Sequence, residues 1–283
     1  MAGIERLVDE QLPPLLFEIP EPPRHLYLRG KLPSPNYKFL AVVGSRRMSR
    51  YGKDACEHII RGLSGYPISI VSGLALGVDG VAHKAALQAG LHTVAIPGSG
   101  LDDSVLYPRS HVSLARDILK SGGALLSEEE PMFVARPESF PKRNRIMAGM
   151  SHATLIIEAA QQSGTMITAR LTLDYNRELL CVPHPIFSEG GAGGHTYMKL
   201  GASPVRSADD IIELFGFEEN KEQQKPVVDA DEERVLTLLT EPLERDQLIR
   251  LLQIPTSTAN ALLLTMELKG FIKESMGKIR ANI

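Results

Sequence analysis

Short apolar runs bounded by glycine and proline recur along the chain, at 39–44 (FLAVVG), 68–72 (ISIVS), 93–97 (TVAIP), 124–127 (ALLS), 154–159 (TLIIEA) and 179–183 (LLCVP). Runs this continuously apolar read as strands buried on both faces, because a half-buried strand would alternate with polar residues. Between most of them lie segments with helical spacing, at 51–63, 81–89, 110–119 and 165–176. Strand and helix in alternation predict a parallel sheet covered on both sides. The pattern therefore predicts a doubly wound, mostly parallel α/β domain over residues 36–216.

The pattern changes at 217–228, FEENKEQQKPVV, which is polar and broken by Pro226 and reads as an interdomain linker. Beyond it, 231–239, 245–252 and 257–269 have helical spacing, and the chain closes on the hairpin-like GFIKESMGKIRANI. Three helices and a hairpin in so short a piece predict a winged-helix domain at 229–283. The first 35 residues hold seven prolines and are expected to drape over the main domain as an extension.

Composition narrows the class. Of the 283 residues 43% are hydrophobic and 23% charged, values ordinary for a folded, water-soluble chain. No run approaches the ~18 apolar residues of a membrane helix, and MAGIERLVDEQLPPLLFEIP lacks the basic flank and apolar core of an export signal. Two cysteines, Cys56 and Cys181, are too few for a disulfide framework. No membrane association and a cytoplasmic location are expected.

A net charge of −3 excludes a chain that coats nucleic acid over its whole surface, so any such site must be local. Two cationic clusters stand out. One is Arg46, Arg47, Arg50 and Lys53; the other is Arg136, Lys142, Arg143 and Arg145, opposed within its own stretch by Glu138.

In open parallel sheets a ligand crevice lies beyond the carboxyl ends of the strands. Here those ends are rich in glycine: Gly44-Ser45-Arg46; Gly73, Gly77 and Gly80; Gly98-Ser99-Gly100; and Gln162-Ser163-Gly164-Thr165. Glycines let backbone N–H groups approach an anion, and helix N-termini add favourable dipole ends, so a phosphate compound is the expected ligand. No G-x-x-x-x-G-K-[ST] and no G-x-G-x-x-G follows the first strand, which argues against triphosphatases and dinucleotide enzymes. No paired histidine spacing supports a metal, and no G-x-S-x-G elbow is present. His83 follows Asp79 by four residues, which reads as a capping aspartate and a buried histidine in preference to a catalytic pair. Cys181, in a predicted buried strand near His184, reads as inert packing. Arg46, at a strand end beside a glycine turn, can bind phosphate bidentately, or can pair a local carboxylate. Phe140-Pro141-Lys142-Arg143-Asn144-Arg145 sets an aromatic beside three cations, the means of gripping a single strand without reading its sequence; the bland alternative is a solvated basic turn.

GSRRMSRYG, SGLALGVDGVAHKAAL, IPGSGLDDSVLYP, FPKRNRIMAG and EAAQQSGTMITA, in this order, resemble the DNA-processing protein A family, DprA, also called Smf. The resemblance runs from about residue 20 to 216 and extends to the winged-helix tail. It implies an extended Rossmann-type doubly wound domain, no enzymatic activity, no cofactor, single-stranded DNA binding, loading of RecA recombinase on incoming strands in natural transformation, and a homodimer. Carried over, the family's DNA-contacting arginine falls on Arg46 and its basic segment on Phe140, Lys142, Arg143, Asn144 and Arg145. The glycine loops with Gly44, Ser45, Gly73, Gly77, Gly98, Ser163, Gly164 and Thr165 supply the surrounding DNA-binding pocket. Two departures stand out: His184 closes the last strand as VPH, and GAGGHTYMKLGA follows where an Asn-Leu-Ile pattern is usual. The competing expectation is a nucleotide-processing hydrolase of phosphoribohydrolase type, with Ser163-Gly164-Thr165 as phosphate loop and Glu158 as its carboxylate.

Overall fold

The computed structural model describes residues 3–161, 163–218, 229–275 and 277–281, in two compact units, 1–219 and 220–283. Most of the expected linker, 219–228, lies outside the described residues, as does Gln162.

The first unit is built on one nine-stranded sheet. Its strands are β1 (Ile4–Val8), β2 (His25–Gly30), β3 (Lys38–Val43), β4 (Ile68–Ser72), β5 (His92–Ala95), β6 (Ala124–Ser127), β7 (Ala153–Ile156), β8 (Glu178–Cys181) and β9 (Ser203–Pro204). Their spatial order is β1-β2-β6-β5-β4-β3-β7-β8-β9. From β6 to β9 every pairing is parallel, and the order reverses between β3 and β7, which both pair with parallel neighbours. That reversal is the switch point of a doubly wound sheet, where the crossovers diverge and leave a crevice. The fold is the extended Rossmann-type α/β architecture.

Both faces of this sheet are covered, and the packing explains the unbroken apolar runs. Within β3, Leu40 and Val42 enter one core while Val43 enters the other; Ile70 and Val71 of β4, Leu155 and Ile156 of β7, and Leu180 and Cys181 of β8 divide in the same way. Successive side chains point to opposite faces, so a sheet with two dry faces demands apolar residues at every position. Helices α1 (Arg50–Gly62), α2 (Val78–Gln88), α3 (Val112–Lys120), α4 (Ser139–Met150), α5 (Thr165–Asp174), α6 (Ala192–Lys199) and α7 (Ala208–Leu214) supply the cover. Cys56 lies among the buried residues of one face and Cys181 among those of the other.

The N-terminal segment does more than drape. β2 pairs antiparallel with β6, and β1 pairs antiparallel with β2, so residues 4–30 extend the sheet itself. The prolines fall between the strands, where two 3-10 turns bury Leu16 and Leu12 on the same core face as α4. A proline-rich linker between two strands costs no ladder hydrogen bonds.

The second unit packs α8 (Ala230–Leu238), α9 (Arg245–Leu252) and α10 (Thr256–Leu268) against a three-stranded sheet of β10 (Leu243–Glu244), β11 (Ile272–Ser275) and β12 (Lys278–Ala281). Its core holds Val235, Leu248, Leu252, Leu263, Met266 and Ile279. It is a winged helix. Glu232, 1% exposed, completes the Asp229 capping box and takes the Lys269 ammonium at 2.6 Å.

One polar hub fixes the loop after β5. Asp103 accepts from buried Arg29 at 2.5 Å and from Arg116 at 2.9 Å, while Arg109 donates to the Asp103 and Ser104 carbonyls. The Arg29 hydrogen bond, aided by that of Arg116, holds the Asp103 carboxyl below the usual aspartate range. A depressed carboxyl stabilises the folded state above the unfolded pKa and loses that contribution as pH falls through the folded one. Asp103→Asn should therefore lower Tm by several degrees near pH 7, and the gap from wild type should close in scans below about pH 4.

Candidate functional site

The loops after β3 and β7 meet the start of α4 at the switch point and enclose a cavity of about 720 Å³. Gly44, Ser45, Arg46 and Arg47 come from the first loop, Ser163, Gly164 and Thr165 from the second, and Phe140, Arg143 and Asn144 from α4. Asp79, in the first turn of α2, adds the acidic group on the lining.

The Phe140–Arg145 stretch is helix, not a basic turn. Pro141 sits in the first turn of α4, where its missing N–H has no intrahelical partner to lose, so it starts the helix instead of breaking it. Helical geometry then separates the cations. Arg143 turns inward, whereas Lys142 reaches Glu129 at 3.2 Å and Arg145 reaches Glu128 at 2.5 Å and the Glu21 carbonyl at 2.8 Å. Glu138 is thus not the main opposing charge: Glu128 and Glu129, just past the end of β6, neutralise the two outer cations.

Arg143 is held by main chain. Its guanidinium donates to the carbonyls of Gly73, at 2.6 Å, and Ile96, and its Nε to Asn144 Oδ1 at 3.1 Å. It thereby ties the ends of β4 and β5 to α4. Asp79 Oδ2 accepts from the Gly73 amide at 3.1 Å and the Ala75 amide at 3.4 Å, fixing the same loop from the other side. Burial pushes the Asp79 carboxyl up, moderated by the Arg143 charge, and pushes Arg143 down, moderated by Asp79. Desolvation opposes each ion and each offsets the other.

Arg46 and Arg47 behave differently. Both are exposed, and neither side chain has a carboxylate partner among the described residues. The Arg46 guanidinium carbon lies 5.2 Å from the centre of the Phe140 ring. The Arg47 amide donates to Ser45 Oγ at 3.0 Å, closing the turn after β3. Ser163 Oγ accepts from the Thr165 amide at 3.2 Å and donates to Thr165 Oγ1 at 3.0 Å, shaping the start of α5.

Gly73, Gly77 and Gly98 do not line the cavity; they make room for what does. Gly77 has φ +79°, and a β-carbon there would collide with the Ser45 carbonyl oxygen and the Arg46 backbone. A β-carbon on Gly73 would overlap the Arg143 guanidinium, and one on Gly98 would stand 2.5 Å from the Phe140 ring.

Other candidates lose their chemistry. Glu158 is 5% exposed, and its Oε2 accepts from the Ser49 amide at 2.9 Å and hydroxyl at 2.8 Å, anchoring the N-cap of α1 away from the cavity lining. His83 is fully buried beside Thr93 Oγ1 at 2.8 Å, and burial pushes its imidazole down to about 3. Burial pushes the Cys181 thiol up to about 12. His184 meets the Ile157 carbonyl at 2.8 Å and packs edge-on against Tyr51, so this departure from the family pattern is filled by a packed ring. The segment that follows it forms α6. Sequence reasoning missed Asp79 as part of the cavity wall, the partners of Lys142 and Arg145, and Tyr107, whose ring centre lies 5.8 Å from that of Phe140.

The family model for DNA recombination-mediator protein A matches residues 4–216, and that for the DprA winged helix domain matches 219–278. The chain belongs to the DNA recombination-mediator protein A family. It is 40% identical over 208 residues to protein Smf of Escherichia coli, covering 74% of this chain and 55% of that protein, so it spans little more than half of the Smf length. It is 36% identical over 211 residues to DNA processing protein DprA of Streptococcus pneumoniae, covering 75% of this chain and 73% of that one. The X-ray structure of the S. pneumoniae protein superposes with a TM-score of 0.70 over 76% of this chain and 75% of that one, at 34% identity. A structure describing the single-stranded DNA binding mode of DNA processing protein A from Helicobacter pylori gives 0.67 over 77% and 100%, at 28% identity.

The Arg143–Asp79 arrangement generates a stability prediction. Asp79→Ala leaves the Gly73 and Ala75 amides without their acceptor and should cost about 1–3 kcal/mol in denaturant unfolding. Adding Arg143→Ala should cost less than the sum of the single changes, because both residues brace the same Gly73 loop.

Proposed function

We propose that this chain binds single-stranded DNA at the switch-point cavity and serves as a recombination mediator, helping to load RecA recombinase on incoming strands in natural transformation. In this reading it works in the cytoplasm as a homodimer, without catalysis and without a cofactor. The observation that carries the reading is Arg46: a cation without a carboxylate partner among the described residues, poised over an aromatic ring at the mouth of a cavity large enough for a nucleotide. Phosphate neutralisation with base stacking is the chemistry of sequence-tolerant single-strand binding. Family membership and the H. pylori relative support it.

Within this reading the candidate DNA contacts divide by role. Arg46 meets a phosphate and Phe140 a base, while Ser45, Ser163, Thr165 and Asn144 offer polar groups on the lining. Arg143, Gly73, Gly77 and Gly98 hold the shape, and Lys142 and Arg145 reach DNA only by giving up Glu129 and Glu128. The hydrolase reading is disfavoured by Glu158, whose carboxylate serves Ser49. Nucleoside monophosphates incubated with the protein should release no free base.

Arg46→Ala should weaken binding of an oligothymidylate by at least tenfold in fluorescence anisotropy while leaving Tm within about 1 °C of wild type. A log-log plot of affinity against salt should become shallower by ~0.7, the slope of one phosphate on a single strand. Wild-type affinity in this variant would remove Arg46 from the site.

Charge disfavours a duplex-reading role for the winged helix. Residues 229–283 hold seven basic and nine acidic residues, and α10 carries no lysine or arginine. Lys269, just past it, is paired to Glu232. A major-groove reader needs cations facing phosphates. We infer an interaction or packing role for this unit. A chain ending at Phe217 should keep single-strand affinity within about threefold of full length at matched salt, and residues 229–283 should not shift duplex DNA.

A further inference from the structure

The strongest feature outside the cavity lining is the ring of Tyr107. It is 47% exposed, its centre lies 5.8 Å from that of Phe140 at an interplanar angle of 53°, and Phe140 in turn lies under the Arg46 guanidinium. Arg46, Phe140 and Tyr107 therefore form a continuous row that starts at the cavity and continues onto the loop after β5. Among the described residues the Tyr107 hydroxyl donates no hydrogen bond, so nothing polar explains an exposed ring at this position.

The loop that carries Tyr107 is held on both sides. Leu106, immediately before it, is fully buried, and the Val105 and Leu106 amides both donate to the Asp102 carbonyl. Arg109, two residues after it, is tied to the Asp103 and Ser104 carbonyls, and the His111 ring meets the Leu74 carbonyl at 2.8 Å. An aromatic side chain on so fixed a backbone loses little conformational freedom when a planar group settles on it, which is the economy that makes tyrosine effective at binding surfaces.

Resting on the single-strand reading, the geometry points to Tyr107 as a second stacking station, which receives the base next to the one held at Arg46 and Phe140. The ligand class is an unpaired nucleobase in a strand of at least two nucleotides. Every base presents a π-face, so the station tolerates any sequence. It supplies no charge; phosphate neutralisation remains with Arg46.

The test is anisotropy with an oligothymidylate, using wild type, Arg46→Ala, Tyr107→Ala, Tyr107→Leu and Tyr107→Phe, with Tm measured for each. Tyr107→Ala and Tyr107→Leu should bind roughly tenfold more weakly, the loss of one stacked base. Tyr107→Phe should bind within twofold of wild type, because the ring and not the hydroxyl is used. The salt slope should stay at the wild-type value in all three Tyr107 variants, in contrast to Arg46→Ala. Leucine keeps an apolar neighbour for Phe140, so a loss shared by Tyr107→Leu at unchanged Tm reports stacking and not loop collapse. Irradiation of the complex with an oligonucleotide containing 5-iododeoxyuridine should place an adduct on Tyr107. Wild-type affinity in both Tyr107→Ala and Tyr107→Leu, with Arg46→Ala still impaired, would overturn the station and leave the single-strand reading intact. Wild-type protein that binds no single strand would overturn both.

Discussion

The site depends on one half-buried cation. Arg143 reaches from α4 to the carbonyls of Gly73 and Ile96, and so fixes a helix to the ends of two parallel strands. Parallel strands leave their last carbonyls pointing into the crevice, where they would otherwise need water. The two hydrogens of a single guanidinium nitrogen, Arg143 Nη1, satisfy both of them at once. Asp79 supplies the counter-charge and at the same time grips the Gly73 loop by its amides. With α4 pinned in this way, Phe140 lies against Gly98 and beneath Arg46, and the cavity has a wall.

The cations of the region thus divide by their partners. Arg143, Arg145 and Lys142 are committed to carbonyls and carboxylates, and among the described residues Arg46 and Arg47 are not. A ligand phosphate meeting Arg46 has no carboxylate to displace among the described residues, whereas one meeting Arg145 must first break the hydrogen bonds of its Nη2 to both Glu128 oxygens. The second costs far more, since separating a partly desolvated charge-assisted pair leaves a stranded carboxylate. Electropositive character here is a property of two side chains on one strand end, in a molecule of net charge −3.

Much of this was legible in one dimension. The two dry faces of the sheet required apolar residues at every position of β3, β4 and β7, and the runs at 39–44, 68–72 and 154–159 say so without an ambiguous period. Strand-end glycines marked the crevice because close approach needs room there, as where Gly77 backs onto the Ser45 carbonyl and Gly73 onto the Arg143 guanidinium. Partner choice was not legible. Lys142, Arg143 and Arg145 are equivalent in composition, and their fates depend on helical phase and on Glu128 and Glu129, which arrive from a different strand. Proline content also misled at the N-terminus, because proline reports where strands stop and says nothing about whether IERLV and HLYLRG pair.

The pairing of β2 with β6 has a consequence for how the chain reaches this structure. Tyr27 faces Ser127 across the ladder, so the two strands are neighbours in space although β3, β4 and β5 lie between them in sequence. During synthesis residues 25–30 leave the ribosome about a hundred residues ahead of their partner, with β1 as their one available neighbour, and a two-stranded hairpin is marginal in water. Closing so long a loop brings its entropic cost early and its reward late. The parallel neighbours β3, β4 and β5 are all synthesised before β6, so the N-terminal pair can join the sheet only once β6 is in place.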